Sequence, residues 1–215
     1  MTAADPHLGQ RLYATGLPLE EARAVMVMVH GRGASAQSIL GLADALARPD
    51  FAYVAPQASS DTWYPHSFLA PIDQNEPWLS SALGFIDRTL QQLGAAGLGA
   101  SRVMLLGFSP GACLSLEYAA RHAQRFGGIV ALTGGLIGPD GTPRDYVGSF
   151  EGTPIFIGSS DPDPHIPRRR VDESATVLES MGAVVTKRIY PGMGHSVNED
   201  ELNRARVMMD DLLRP

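Results

Sequence analysis

The chain has 215 residues, 44% hydrophobic and 19% charged, which fits one folded domain over 1–215 with a substantial apolar core and excludes a disordered or fibrous protein. Its 17 basic and 23 acidic residues give a net charge of −6, so no broad positive surface is available for a phosphate backbone and nucleic acid is excluded as a partner. Cys113 is the single cysteine, which excludes an intrachain disulfide and cysteine-rich zinc sites.

Residues 1–21 lack a basic head followed by an apolar run, and no apolar stretch reaches the ~20 residues of a membrane span, so a cytoplasmic location is expected. Ala24–Val29 is apolar at every position, as a central parallel strand covered on both faces would be. It runs into His30-Gly31-Arg32-Gly33. From Gly31 to Ala36 the chain also matches the G-x-G-x-x-A form of a dinucleotide fingerprint, which supports a rival reading as a nicotinamide-dependent oxidoreductase. That fingerprint needs an acid at the end of the second strand. Here the strand Phe51–Ala55 continues into Pro56-Gln57 without a carboxylate, and Asp50 stands at its wrong end.

A helical period covers Ala36–Ala47. Past the second strand, the loop Thr62–Leu69 carries Trp63, Tyr64, His66 and Phe68, candidates to line an acyl or alcohol pocket and equally suited to packing the loop. Pro77–Leu93 reads as a helix and Gly94–Gly99 as a surface connection, since no Lys-Ser or Lys-Thr follows as a phosphate loop requires. Further strands are predicted at Val103–Gly107, Ile129–Thr133, Pro154–Gly158 and Val184–Tyr190, with helices at Pro110–Ala123, Arg168–Met181 and Asn198–Leu213. Arg168-Arg169-Arg170 at the start of one helix reads as a solvated face. The alternation predicts an α/β protein: a mostly parallel sheet with helices on both faces and its site beyond the carboxyl ends of the strands.

Gly107-Phe108-Ser109-Pro110-Gly111 is a G-x-S-x-G pentapeptide between a predicted strand and a predicted helix. That context makes it a nucleophile elbow, a strained turn whose glycines let backbone segments approach while the serine hydroxyl is presented at the top of the sheet. A serine hydroxyl needs a base, and the base needs an orienting group. His195, in the loop after the last strand, completes the order Ser, Asp, His. His30 reads as a packed histidine, His66 as part of a loop wall, and His7 and His122 as surface residues. Asp161 and Asp163 both lie past the preceding strand and both qualify as the acid. Together with His165 they also raise a metal site, but carboxylates between prolines read as turn residues and no second ligand cluster is evident.

Taken in order, Val29-His30-Gly31-Arg32-Gly33, Gly107-Phe108-Ser109, Asp163-Pro164-His165-Ile166-Pro167 and Gly194-His195 resemble the phospholipase/carboxylesterase family, which includes acyl-protein thioesterases. The resemblance spans about Ala24 to Leu213. It implies a compact α/β-hydrolase with little or no lid, acting without cofactor or metal on small or aryl carboxylic esters or on thioesters. Ser109, His195 and an aspartate would form its triad, and Asp163 matches the family's Asp-Pro-x-(Val/Ile)-Pro run where Asp161 matches only its first pair. The first oxyanion donor would be the Arg32 backbone N–H. The family's second donor position falls on Pro110, which has no N–H, so a catalytically weakened homologue binding an ester or acyl ligand is the alternative. Oligomeric state stays open between monomer and homodimer.

Overall fold

The computed structural model describes residues 5–214. Seven strands form one sheet: β1 (Leu12–Gly16), β2 (Ala24–Val29), β3 (Phe51–Pro56), β4 (Val103–Phe108), β5 (Gly128–Leu132), β6 (Pro154–Asp161) and β7 (Val184–Pro191). Their spatial order is β1-β3-β2-β4-β5-β6-β7, parallel throughout except for β1, which pairs antiparallel with β3. The helices are α1 (Ala36–Leu40), α2 (Leu42–Leu46), α3 (Trp78–Ala95), α4 (Pro110–Arg121), α5 (Arg168–Ser180) and α6 (Glu199–Leu213).

The two-residue period of β2 assigns the layers. Val25, Val27 and Val29 point to the face covered by α3, α4 and α5, while Met26 and Met28 point to the face covered by α1, α2 and α6. Every residue of β2 is buried, which explains why the strand is apolar at each position. The chain moves from β2 outward to β3 and then returns to β4 on the other side of β2, so a topological switch lies between β2 and β4. The loops leaving these two strands carry Gly31-Arg32 and Ser109, at the crevice where open α/β sheets bind ligands. This is the α/β-hydrolase architecture expected from the sequence, with no large lid insertion among the described residues.

Two local expectations are corrected, and strand β1 lies outside every predicted element. The single helix expected over Ala36–Ala47 is two short helices joined at Gly41. Strand β1 carries no apolar run to announce it, since as an edge strand its residues are half-buried or exposed. Arg170 does not share the solvated face of Arg168 and Arg169 but is 1% exposed. Its guanidinium donates to the carbonyls of Leu136 and Gly138 at 2.9 and 2.5 Å and pairs with Asp140 and Glu173 at 3.0 Å each. A buried arginine needs such a set of partners, and here they fix the connection between β5 and β6.

Candidate active site

Between β4 and α4 the backbone of Ser109 adopts φ 57°, ψ −121°, a region that non-glycine residues enter only under strain of about 1–3 kcal/mol. Its neighbours hold it there. Ser109 N–H donates to Leu132 O at 3.0 Å and Cys113 N–H to Ser109 O at 3.1 Å. The flanking glycines are sterically required: a Cβ at Gly107 would collide with the Gly111 carbonyl, and one at Gly111 with the Val29 carbonyl. Pro110 occupies the first turn of α4, where its missing N–H breaks no intrahelical bond and its fixed φ suits the helix.

The hydroxyl so presented lies 2.8 Å from His195 Nε2, and His195 Nδ1 lies 2.9 Å from Asp163 Oδ2. Asp163 Oδ1 accepts the N–H groups of His165 and Ile166, each at 2.8 Å. Burial pushes the Asp163 carboxyl up, but the two N–H bonds and the His195 ring together outweigh it and hold the group below its ordinary value. Asp161 is elsewhere: its Oδ2 pairs with Arg168 at 3.2 Å on the surface. The structure therefore brings together Ser109, His195 and Asp163 and leaves Asp161 out.

Arg32 stands at the turn after β2, its guanidinium donating to the carbonyls of Pro65 and His66 at 3.2 and 2.8 Å and lying over the Tyr64 ring. The next two N–H groups, of Gly33 and Ala34, are taken by the carbonyls of Asp61 and Gly31. The dinucleotide-like run does not open into a phosphate cradle. The helix that follows it has five residues, and its first N–H, on Ala36, already donates to Gln57 Oε1 at 2.8 Å.

Of the aromatic loop, Trp63, Tyr64 and Phe68 are buried, so their rings fill the core instead of forming an open wall; His66 is exposed. Trp63 Nε1–H donates to His30 O at 2.9 Å, which ties the loop to the end of β2. His30 is buried as expected, and His122 is exposed. His7 is not a surface residue: it is fully buried, with Nδ1 accepting the Ser59 N–H at 3.1 Å and Nε2 donating to Trp63 O at 3.0 Å. Two residues bordering His195 were not singled out from sequence as its neighbours. The rings of His165 and Phe108 lie 4.8 and 5.2 Å from that of His195, and their positions inside the acid loop and the G-x-S-x-G pentapeptide are the signal that could have found them.

A sequence profile of the family described as Phospholipase/Carboxylesterase matches residues 14–212. The crystal structure of a phospholipase/carboxylesterase from Dyadobacter fermentans superimposes with a TM-score of 0.92 at 41% identity, covering 99% of this chain and 100% of that one. Acyl-protein thioesterase 1 of Gibberella zeae is 31% identical over 134 residues, 61% of this chain and 57% of its own length. Acyl-protein thioesterase 1 of Saccharomyces cerevisiae is 31% identical over 124 residues, 57% of this chain and 55% of its own length. The matched region thus spans little more than half of each thioesterase.

Proposed function

The chain belongs to the phospholipase/carboxylesterase family, and from that premise we propose that it is a serine hydrolase of small or aryl carboxylic esters, working through an acyl-enzyme on Ser109. The observation that carries the reading is the continuous chain Ser109 Oγ, His195 Nε2, His195 Nδ1, Asp163 Oδ2, with contacts of 2.8 and 2.9 Å.

In this reading Ser109 Oγ attacks the acyl carbon while its proton passes to His195 Nε2. The tetrahedral intermediate collapses, the carbon–oxygen bond to the alcohol breaks, and the proton on Nε2 goes to the departing oxygen. Water then repeats the sequence on the acyl-enzyme, releasing the acid and restoring the Ser109 hydroxyl. Asp163, kept anionic by its N–H donors, holds the imidazole with Nδ1 protonated and stabilises the imidazolium. The Arg32 N–H and the N-terminal end of α4 serve the oxyanion. Thioesters undergo the same sequence with sulfur leaving.

A second reading rests on Pro110. Without an N–H at that position the oxyanion loses one donor, which favours a weakened homologue that binds an ester or acyl ligand. One experiment separates the two: a serine-directed phosphonate followed by peptide mapping, beside a panel of p-nitrophenyl esters and thioesters scored by kcat/KM. Labelling confined to Ser109 with turnover abolished in Ser109→Ala supports the hydrolase. Ligand binding without labelling or turnover supports the weakened homologue, and labelling at another residue refutes the assignment of Ser109.

A further inference from the structure

Beneath the triad, the acid and base loops leave the sheet side by side. The acid loop follows β6 and the histidine loop follows β7, and the last ladder pair of these strands is Asp161 with Pro191. Gly192 N–H still donates to Asp161 O at 3.1 Å. Beyond that point the backbone ladder ends, three residues short of His195.

The hydroxyl of Ser160 continues the connection. Ser160 is fully buried, and its Oγ accepts the Gly194 N–H at 2.9 Å. The same Oγ lies 3.2 Å from the Pro162 carbonyl and 3.3 Å from the Tyr190 carbonyl, so its one proton is shared between an oxygen of the acid loop and one at the root of the histidine loop. Gly194 has φ +77°, and this hydrogen bond anchors the Met193–Gly194 peptide immediately before His195. One buried hydroxyl therefore spans the segment that carries Asp163 and the residue adjacent to His195.

We propose that Ser160 is a positioning residue, setting the register of His195 against both Asp163 and Ser109. The proposal rests on the reading of these three residues as the catalytic triad. Removing the hydroxyl leaves the Gly194 N–H without its acceptor and frees the loop between Pro191 and Asn198 to turn about Gly194. His195 then spends less time within reach of both partners, and a displacement of about 1 Å can cost up to ~10²-fold in rate. Ser160 faces no substrate, so the loss falls on kcat more than on KM.

The test compares wild type, Ser160→Ala, Ser160→Thr and Ser109→Ala on p-nitrophenyl acetate, with 1H NMR of the His195 Nδ1 proton and hydrogen exchange of the Gly194 amide. The expected results are a kcat reduced at least about tenfold in Ser160→Ala with a smaller change in KM, partial rescue by Ser160→Thr, and a broadened or lost Nδ1 proton signal. An unchanged kcat in folded Ser160→Ala overturns the proposal. The wild-type protein decides even if the alanine variant does not fold: slow Gly194 exchange supports Ser160's grip, and exchange at the rate of an open loop overturns it. A wild type that neither hydrolyses esters nor reacts with a phosphonate refutes the hydrolase reading instead, while the Gly194 exchange still reports on Ser160 separately.

Discussion

Asp163 reaches His195 Nδ1 with Oδ2 at 2.9 Å and spends its other oxygen on two backbone N–H groups of its own loop. Both oxygens are fixed, so the carboxylate cannot rotate away from the imidazole without breaking its other bonds. Asp161, two residues earlier, meets only an exposed arginine across the loop at 3.2 Å. Such surface pairs contribute about 0–1 kcal/mol.

This difference yields the first prediction. In Asp163→Asn the amide either donates to His195 Nδ1 and forces the proton onto Nε2, the wrong tautomer to accept from Ser109, or loses the contact. The expected loss in kcat approaches ~10⁴-fold. Asp161→Asn should stay within a fewfold of wild type, and steady-state kinetics of the two variants check the ranking. A larger loss in Asp161→Asn would move the acid to that residue.

In the proposed mechanism Ser109 and His195 act on one proton, so removing either should disable the same step. Ser109→Ala and His195→Ala are each expected to lower kcat by several orders of magnitude, and the double variant to lose little more. The measurement is a double-mutant cycle on an activated ester. Additive losses would mean that the two residues, although 2.8 Å apart, do not share a role.

Ser109 and His195 stood out because each sits in a short glycine-bearing pattern, whereas the residues alone left Asp161 and Asp163 both open and the family resemblance favoured Asp163. Gly107 and Gly111 have to be glycine for the elbow to close, and that requirement is written directly in the chain. Residues whose role depends on distant partners were not legible. His7 carries no local pattern and Arg170 sits in a basic run that reads as solvated, and only the fold supplies Trp63 and Ser59 to one and the Leu136–Asp140 connection to the other. Strand β1 was invisible for a related reason: antiparallel pairing at the sheet edge depends on β3 and leaves its own side chains largely in solvent. The aromatic loop was legible as a loop, but burial of Trp63 and Tyr64 is a tertiary outcome that composition does not determine.

The buried histidines make stability depend on pH. His7 Nδ1 and His30 Nε2 each accept a backbone N–H, from Ser59 and Ala58, so neither nitrogen can take a proton without losing that bond. Burial, the largest influence on both, lowers them from 6.5. The unfolded chain therefore binds protons more readily, and the stabilisation is fully present above 6.5 and lost as pH falls from there through the depressed folded-state values. Glu201 has the opposite sign: burial raises it from 4.5 to about 7 against the Asn198 N–H bond, so its contribution is present below 4.5 and lost as pH rises through about 7. Thermal melts across pH should trace a dome, with His7→Gln flattening the acid limb and Glu201→Gln the neutral one. Limbs unchanged in these variants would place the titration on other groups.

The final prediction concerns Pro110, which fits the fold and withholds a donor. At the first turn of α4 its ring costs no helical hydrogen bond, and the elbow forms with Ser109 at φ 57°. In the proposed chemistry the same ring removes the N–H that follows Ser109, at the position where a backbone donor would meet the developing oxyanion. Loss of one such donor costs ~10²–10³ in kcat, roughly 2.7–4 kcal/mol. Glutamine at this position restores the N–H and is compatible with a helix start. We expect Pro110→Gln to raise kcat on an activated ester by at least about tenfold, a cautious fraction of that range, with a smaller change in KM because the gain is confined to the transition state. The assay is steady-state hydrolysis of p-nitrophenyl acetate, with circular dichroism confirming the fold. An unchanged or lower kcat in the folded variant would mean that the oxyanion already has a second donor, placing the vacancy filled by another group of the α4 N-terminus and making Pro110 part of the arrangement that positions it.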